Sequence, residues 1–599
     1  MNSKQQSQKE ATSNRSAEPG SAFTRKRWPP IIILVIVSVV VYTNSLSNGF
    51  VYDDLVVIVE NKYIRNPLKN LPSLFTGSYY KIAGGEAGYR PIATLSYYLI
   101  FAFAGLNPFY FHLVSVLIHI ANACLVYLLC FRVLPNKSHA LLAGLLFACH
   151  PALTEAVDCI SFNEDLLAAL FYLLSLILYV KTTHNQVAIA AYILSLICYF
   201  LGLLSKEMAI TLPGIVFLYD IAFRGEGENS LTIGRILRTI RKKGFFYSGY
   251  IIISLVYLVL RFSVFYEAKG STESHYGSLF DRIVFLPSHI FSFIKLAFAP
   301  FNLSAAHVFF YPQGFFELTN LVGFTAVSAL IVFSFYFYKR SKVMSFGIWW
   351  FLITLFPVYN LIEIFHPYAE RFVYIPIIGF CMLIPVVIDA LVVRIVRKPT
   401  AATLATPIVV MLILSVYAIT TISRNRDWKD GMTLWSKTIL TSPGSAIAHG
   451  NLGRAFQEQK KFNEAIQAYE KTIEINPRDY KAYHNLGVVY ENQGAMEEAV
   501  HYYEKAIEIY PQYADAHFNL ANIYHKKGAL DDAIAHYKKV VELQPEDFEA
   551  RNNLGVAYAM QGKLDHAISQ WKKVLEIDPE NKSAEENITK AKMVKHKSK

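Results

Sequence analysis

Nine apolar runs, each long enough to cross roughly 30 Å of hydrocarbon, fill most of the first 423 residues of this 599-residue chain. They lie at about 30–46, 109–132, 165–181, 187–204, 247–266, 318–338, 345–361, 372–394 and 404–422. Inside a bilayer every backbone polar group must find its partner within the chain, so continuous runs of this length fold as helices. Two shorter runs, 139–151 and 208–223, are expected to cross as well. Two others, 92–105 beside Pro91 and 284–300 containing Pro287, are expected to lie along the outer interface. The fold class is therefore all-α, a polytopic transmembrane helix bundle of about 11 spans.

Composition agrees. The apolar fraction is 53% and aromatics reach 14%, with 38 Tyr and 42 Phe suited to many membrane–water boundaries. Much of the +11 net charge sits in a tail and in short loops: Arg25, Lys26 and Arg27; Arg235, Arg238, Arg241, Lys242 and Lys243; Lys339, Arg340 and Lys342; Arg394, Arg397 and Lys398. That pattern sets orientation in a membrane and argues against nucleic acid as a partner. With the N-terminus inside, it leaves 47–91, 152–164, 267–283, 362–371 and everything after 423 outside the cytoplasm. Residues 1–29 are expected to be a disordered cytoplasmic tail, and the first apolar run an uncleaved span. The six cysteines, all in the membrane half, show neither disulfide nor zinc spacing and are expected to be packing residues.

Beyond residue 423 the character changes. Pro443, Pro477, Pro511, Pro545 and Pro579 recur every 34 residues, as do Asn451, Asn485, Asn519 and Asn553. Gly494, Gly528 and Gly562 mark turns, and Ala465, Ala499, Ala533 and Ala567 allow close helix packing. This is the tetratricopeptide repeat (TPR) pattern, and four repeats are expected over 444–579 as an α-solenoid with a concave binding groove. Residues 424–443 read as a docking half-repeat and 580–599 as a solvated basic tail. The asparagine ladder could grip a peptide backbone through its carboxamides; equally, it is consensus for the repeat.

Chemistry is expected on the outer face. Asp53 and Asp54 open the first outer loop, 47–91. A carboxylate pair at a membrane edge raises one pKa, suiting general-base work, and also suits a divalent cation. The alternative is that both mark the water boundary. His150, Glu155, His366, Glu370 and Arg371 are placed on the same side, with Asn163, Glu164 and Asp165. Arg371 and Lys206 suit an anionic headgroup such as a phosphate, unless Lys206 and Glu207 simply neutralise each other.

Several stretches, in order, carry a resemblance. They are Phe50-Val51-Tyr52-Asp53-Asp54; Tyr89-Arg90-Pro91; Gly105-Leu106-Asn107-Pro108; His150-Pro151 with Thr154-Glu155; Leu204-Ser205-Lys206-Glu207; Ala369-Glu370-Arg371-Phe372; and Arg424-Asn425-Arg426-Asp427-Trp428. The chain resembles the transmembrane and tetratricopeptide repeat-containing (TMTC) family, whose membrane half is related to GT-C glycosyltransferases. The resemblance implies a GT-C-like domain over 30–423. It implies a polyprenyl- or dolichyl-phosphate-linked sugar as donor, with mannose or another hexose transferred to Ser/Thr of a protein acceptor on the TPR repeats. Asp53 and Asp54 would be catalytic, and Arg371 and Lys206 would hold the donor phosphate. Tyr89, Arg90, His150, Glu155, Glu207, His366 and Glu370 would support them. Only four full repeats and a short N-terminal tail point to a prokaryotic relative in a bacterial plasma membrane, with the repeats outside the cytoplasm; the alternative is the endoplasmic reticulum, with the repeats in the lumen. The competing function is a non-catalytic, membrane-anchored TPR scaffold.

Overall fold

The computed structural model describes residues 28–75, 88–181, 188–224, 231–265, 278–308, 314–362, 364, 367–396 and 399–597. His366, Arg25, Lys26, Arg27, Arg397, Lys398, positions 76–87 of the loop expected to be the first outer one and most of 267–283 lie outside the described residues. Among the described residues all regular structure is helical. The chain divides into two compact units, Met1–Leu434 and Trp435–Lys599. The division falls inside the helix Gly431–Thr441, within the segment read as a docking half-repeat.

Each of the eleven apolar runs is a helix in the first unit. Among the described residues seven helices are long and apolar enough to cross a membrane by length and composition, and an eighth joins them if a bent pair counts as one span. That pair, Lys137–Cys149 and Pro151–Asp158, turns by 52° where Pro151 cannot continue the preceding helix. Three of the expected crossings are shorter: Ala188–Ser205, Leu212–Phe223 and Lys342–Leu355. Helix starts follow the sequence. Asn107 caps Pro108–Val133 through the Phe109 amide, and Asn136 caps Lys137–Cys149 through the Ser138 amide. The cysteines are free; all are buried except the half-buried Cys124.

Polar side chains lock this bundle where water is absent. Asn122 donates to the Leu166 carbonyl at 2.9 Å, and the Trp350 indole to the Ile375 carbonyl at 3.0 Å. Inter-helix bonds of this kind contribute about 1 kcal/mol each. One group of them ties the end of the first helix to the end of the last. Asn44 donates to the Ile422 carbonyl at 2.8 Å, Asn48 to the Asn425 carbonyl at 3.0 Å, and Asn425 back to the Val41 carbonyl at 2.9 Å. The Gly49 amide then donates to the Lys429 carbonyl at 2.9 Å. The Arg424–Trp428 motif and Lys429 thus fix where the loop that starts at residue 47 begins.

The second unit is a stack of helix pairs from Ala446–Glu458 to Leu564–Ile577. Helix A of each pair meets an aromatic ring of helix B; a methyl group at Gly487 would lie 2.6 Å from the Tyr503 ring. The turn between the helices needs a left-handed residue, supplied by Gly494, Gly528 and Gly562 at φ +80°, +77° and +76°. The first repeat puts Lys460 there at φ +59°, a strained position for a side-chain-bearing residue. The segment expected to be a solvated tail instead forms a helix, Lys582–Lys597. Its buried Ala584, Ile588 and Ala591 make an apolar stripe that joins the core of the last repeats.

Candidate active site

The acidic pair is split by its backbone. Tyr52 sits at φ +55°, a left-handed conformation that costs a tyrosine about 1 kcal/mol, and its ring is held edge-on to Phe162 at 5.8 Å. After this turn the two carboxyl groups have different surroundings. Asp54 is fully buried and accepts hydrogen bonds from the Ser161 amide at 2.6 Å, the Val51 amide at 3.2 Å and the Cys159 thiol at 3.5 Å. Burial pushes its pKa up to about 7, against the pull of these donors. The rise therefore comes from desolvation rather than from repulsion by its neighbour. Asp53 remains half-buried and acts electrostatically on Arg371.

Arg371 is fixed from two sides. Its backbone amide donates to Glu155 at 2.9 Å, and its guanidinium donates to the other oxygen of the same carboxylate. The guanidinium carbon stands 3.9 Å from the Phe162 ring centroid, a cation–π arrangement. Burial works against its charge, but Glu155, Tyr52, Asp53 and Asp165 outweigh that penalty and hold its pKa above the usual arginine value. The 3-10 turn Glu370–Val373 presents Arg371 here, and the Phe372 ring lies between it and Lys206, 5.1 Å and 5.5 Å from the two cations.

Beyond Phe372 runs a string of alternating charge. Lys206 is buried, 2.5 Å from Asp165 and 3.1 Å from Glu164. Arg90 pairs with Glu164 and, at 3.1 Å, with Glu207. Glu207 in turn meets Arg261 at 3.2 Å. Burial alone would raise the Glu207 pKa; Arg90, Arg261 and Lys206 override it and hold the carboxyl well below the usual range. Lys206 and Glu207 are thus not a closed local pair: the extended backbone at Lys206 sends the two side chains to different partners.

The structure brings Asp53, Glu155, Arg371, Lys206, Arg90 and Glu207 into one region. Two expected members face elsewhere. His150 uses one ring nitrogen at the helix bend, accepting from the Ala152 amide at 3.3 Å, and donates the other to the Ala297 carbonyl of the helix Leu279–Phe298 at 3.1 Å. Glu370 points away from its neighbour Arg371; it accepts from the Ser304 amide and from His307 at 2.9 Å, with Arg424 3.8 Å away. Tyr89 is buried beside Arg90. Arg261 and Phe162 had not been singled out. Arg261 carried a readable signal, an ionisable residue inside an apolar run; Phe162 carried none. For a divalent cation the acidic pair is a poor donor set, because Asp54 commits both oxygens to backbone amides. Among the described residues no group of three or more His, Cys, Asp or Glu could hold a metal ion.

The four ladder asparagines are all half-buried on the first helices of their repeats. Asn519 shares a hydrogen bond with His484 of the preceding repeat at 3.0 Å, and Asn485 one with the same ring at 3.4 Å. Part of their hydrogen-bonding capacity therefore joins the repeats to one another.

Comparison with known proteins covers both units. Matches to the tetratricopeptide repeat family fall at 453–494 and 521–562, at 480–513 and 548–581, and at 502–535. The Mus musculus protein O-mannosyl-transferase TMTC3 is 26% identical over 475 residues, 73% of this chain and 50% of its own length. The Drosophila melanogaster protein O-mannosyl-transferase Tmtc1 is 27% identical over 516 residues, 71% of this chain and 59% of its own. A solved TPR protein with an unusual peptide-binding site, YrrB, is 28% identical, covering 27% of this chain and 84% of its own, with a TM-score of 0.26. The chain spans about half the length of the curated relatives it matches. Alignments over some 73% of the chain reach far beyond the repeats, and on that basis the chain is a homologue of the TMTC protein O-mannosyl-transferases with a TPR array at its C-terminal end.

Proposed function

We propose that this protein is a GT-C-type membrane glycosyltransferase. It moves mannose or another hexose from a polyprenyl- or dolichyl-phosphate-linked donor to Ser/Thr hydroxyls of proteins held by the TPR groove. The observation that carries this reading is the half-buried Asp53 within electrostatic reach of Arg371, whose guanidinium Glu155 and Phe162 hold in place. Asp53 takes the proton of the acceptor hydroxyl as its oxygen attacks the anomeric carbon. The bond from that carbon to the lipid phosphate breaks with inversion, and Arg371 stabilises the charge left on the phosphate oxygen. Asp54 anchors the loop. Lys206, buried against two carboxylates, holds the floor of the site rather than reaching the donor.

In this reading the protein sits in a bacterial plasma membrane, or in an endoplasmic reticulum membrane, with Asp53 and the repeats outside the cytoplasm. The asparagines at 451, 485, 519 and 553 contact the acceptor backbone where their inter-repeat bonds leave capacity. The test is transfer from a labelled polyprenyl-phosphate mannose to Ser/Thr-containing acceptor peptides by the purified full chain in nanodiscs. The Asp53→Asn variant loses transfer while still binding peptide. Undiminished transfer by that variant removes Asp53 from the chemistry; no transfer by the parent chain, with peptide capture intact, leaves a scaffold.

A further inference from the structure

The helix Ile233–Phe265 is 33 residues long, about 50 Å, against about 30 Å of hydrocarbon. Near its C-terminal end Arg261 reaches Glu207, part of the candidate site. Ile233 lies roughly 40 Å back along the axis, so the first turns emerge on the opposite side of the bilayer.

Around those turns the helix shows three faces. Arg235 points inward, donating to the Ile221 carbonyl at 2.7 Å with its guanidinium 5.8 Å from the Tyr338 ring. Ile233, Leu237 and Ile240 form an outward stripe, 77%, 61% and 43% exposed. Arg238 and Arg241 are exposed on the third face, and Lys242, two turns beyond Arg235, is exposed as well. Tyr338 donates to the same Ile221 carbonyl at 3.1 Å, which brings the exposed Lys339 and Arg340 up beside this face. Other cations at this end are engaged inside the protein. Arg224 pairs with Asp220 at 3.0 Å and donates to the Val180 carbonyl at 2.8 Å, and Arg132 donates to the Ile177 carbonyl at 3.2 Å, both at the C-terminal end of the helix Asn163–Lys181.

Exposed apolar side chains flanking exposed cations, at headgroup depth on a helix that continues into the membrane, match the chemistry of an anionic lipid surface. The apolar stripe meets the acyl boundary and the cations meet the phosphates. We propose that Arg238, Arg241 and Lys242, with Lys339 and Arg340, form a binding surface for anionic phospholipid headgroups in the leaflet opposite Asp53. The inference stands whether or not the site transfers sugar.

The test uses the full chain purified from nanodiscs of mixed phosphatidylglycerol and phosphatidylcholine, with retained lipids counted by native mass spectrometry. Phosphatidylglycerol should be retained in preference, and each charge removed in R238Q/R241Q/K242Q should lower that preference by up to about fivefold. The R238K/R241K variant should retain it. A triple variant with undiminished preference overturns the proposal. So does equal retention of the two lipids by the parent chain, the result expected if the patch instead serves a protein partner. Independently of any variant, the preference should weaken as salt rises from about 0.05 to 0.5 M; a preference indifferent to salt overturns it as well.

Discussion

Substituting Asp54 with asparagine separates the two aspartates by their physics. The carboxamide oxygen of the variant can still accept from the Ser161 amide, but its NH2 group would face the Val51 amide, now 3.2 Å from the carboxylate. One buried donor is left without an acceptor, a cost of about 1–3 kcal/mol. Against this stands the pH term. The Asp54 carboxyl titrates near 7 in the folded protein, compared with about 3.9 in an unfolded chain. Between these values the folded state holds a proton that the unfolded state has released, so stability falls as pH rises from about 4 through 7. The total is at most about 4 kcal/mol. Asparagine has no such dependence. Thermal unfolding of the nanodisc-embedded chain should therefore show Asp54→Asn gaining on its parent between pH 5 and pH 8, by up to about 3 kcal/mol. Asp53→Asn, which removes a half-buried group, should track the parent at both. A parent–variant gap for Asp54→Asn that is the same at pH 5 and pH 8 would refute the assignment of the raised pKa to this residue.

Three further outcomes are expected. In a transfer assay Asp53→Asn should lose roughly 10²–10⁴-fold in kcat, the range for removing a general base, with peptide affinity unchanged by fluorescence anisotropy. Glu207→Gln leaves Arg90 and Arg261 without their shared carboxylate and should lower the unfolding temperature at neutral pH. Because the Glu207 pKa is depressed, its stabilisation is present above the unfolded value near 4.3 and lost as pH falls through the folded one, so variant and parent should converge in acid. Lys460→Gly should stabilise the repeat unit by about 1 kcal/mol, since φ +59° costs glycine nothing; an unchanged denaturation midpoint counts against strain at that turn.

The repeats were legible because every structural requirement recurs at a fixed period: alanine where helices touch, glycine where φ is positive, proline beyond each second helix. Where one copy breaks the pattern, as at Lys460, the backbone keeps the conformation and the residue carries the strain. The helix Lys582–Lys597 was missed because its lysines dominate the composition, while only Ala584, Ile588 and Ala591 report its buried side. In the membrane half, apolarity located the helices but not the partners of their ions. The company Lys206 keeps depends on the first turn of Asn163–Lys181 arriving beside it, a contact 41 residues distant. Nor does anything in a tyrosine announce the left-handed turn at Tyr52 that sends Asp53 and Asp54 to different environments.

That divergence gives the site its electrical logic. Arg371, Lys206, Arg90 and Arg261 are matched by Glu155, Asp165, Glu164 and Glu207, each ion in contact with one of opposite sign. Deleting a member of its buried part, such as Lys206, Asp165 or Glu155, strands a charge at a cost of about 3–5 kcal/mol, so that part of the string holds its own geometry. Asp53 adds one further negative unit beside Arg371, which disfavours an anionic donor in the ground state. In the proposed reaction, with Asp53 as base, the arriving proton would cancel that unit just as the phosphate oxygen gains charge from the breaking glycosidic bond. Arg371, already oriented by Glu155, then faces an anion with no competing carboxylate at position 53. The attraction is stronger in the transition state than in the bound complex, which is the difference that accelerates a reaction. A lysine at 371 would keep the charge and the backbone bond to Glu155 but lose the planar guanidinium that lies over Phe162, so Arg371→Lys should depress kcat more than it raises the KM for donor.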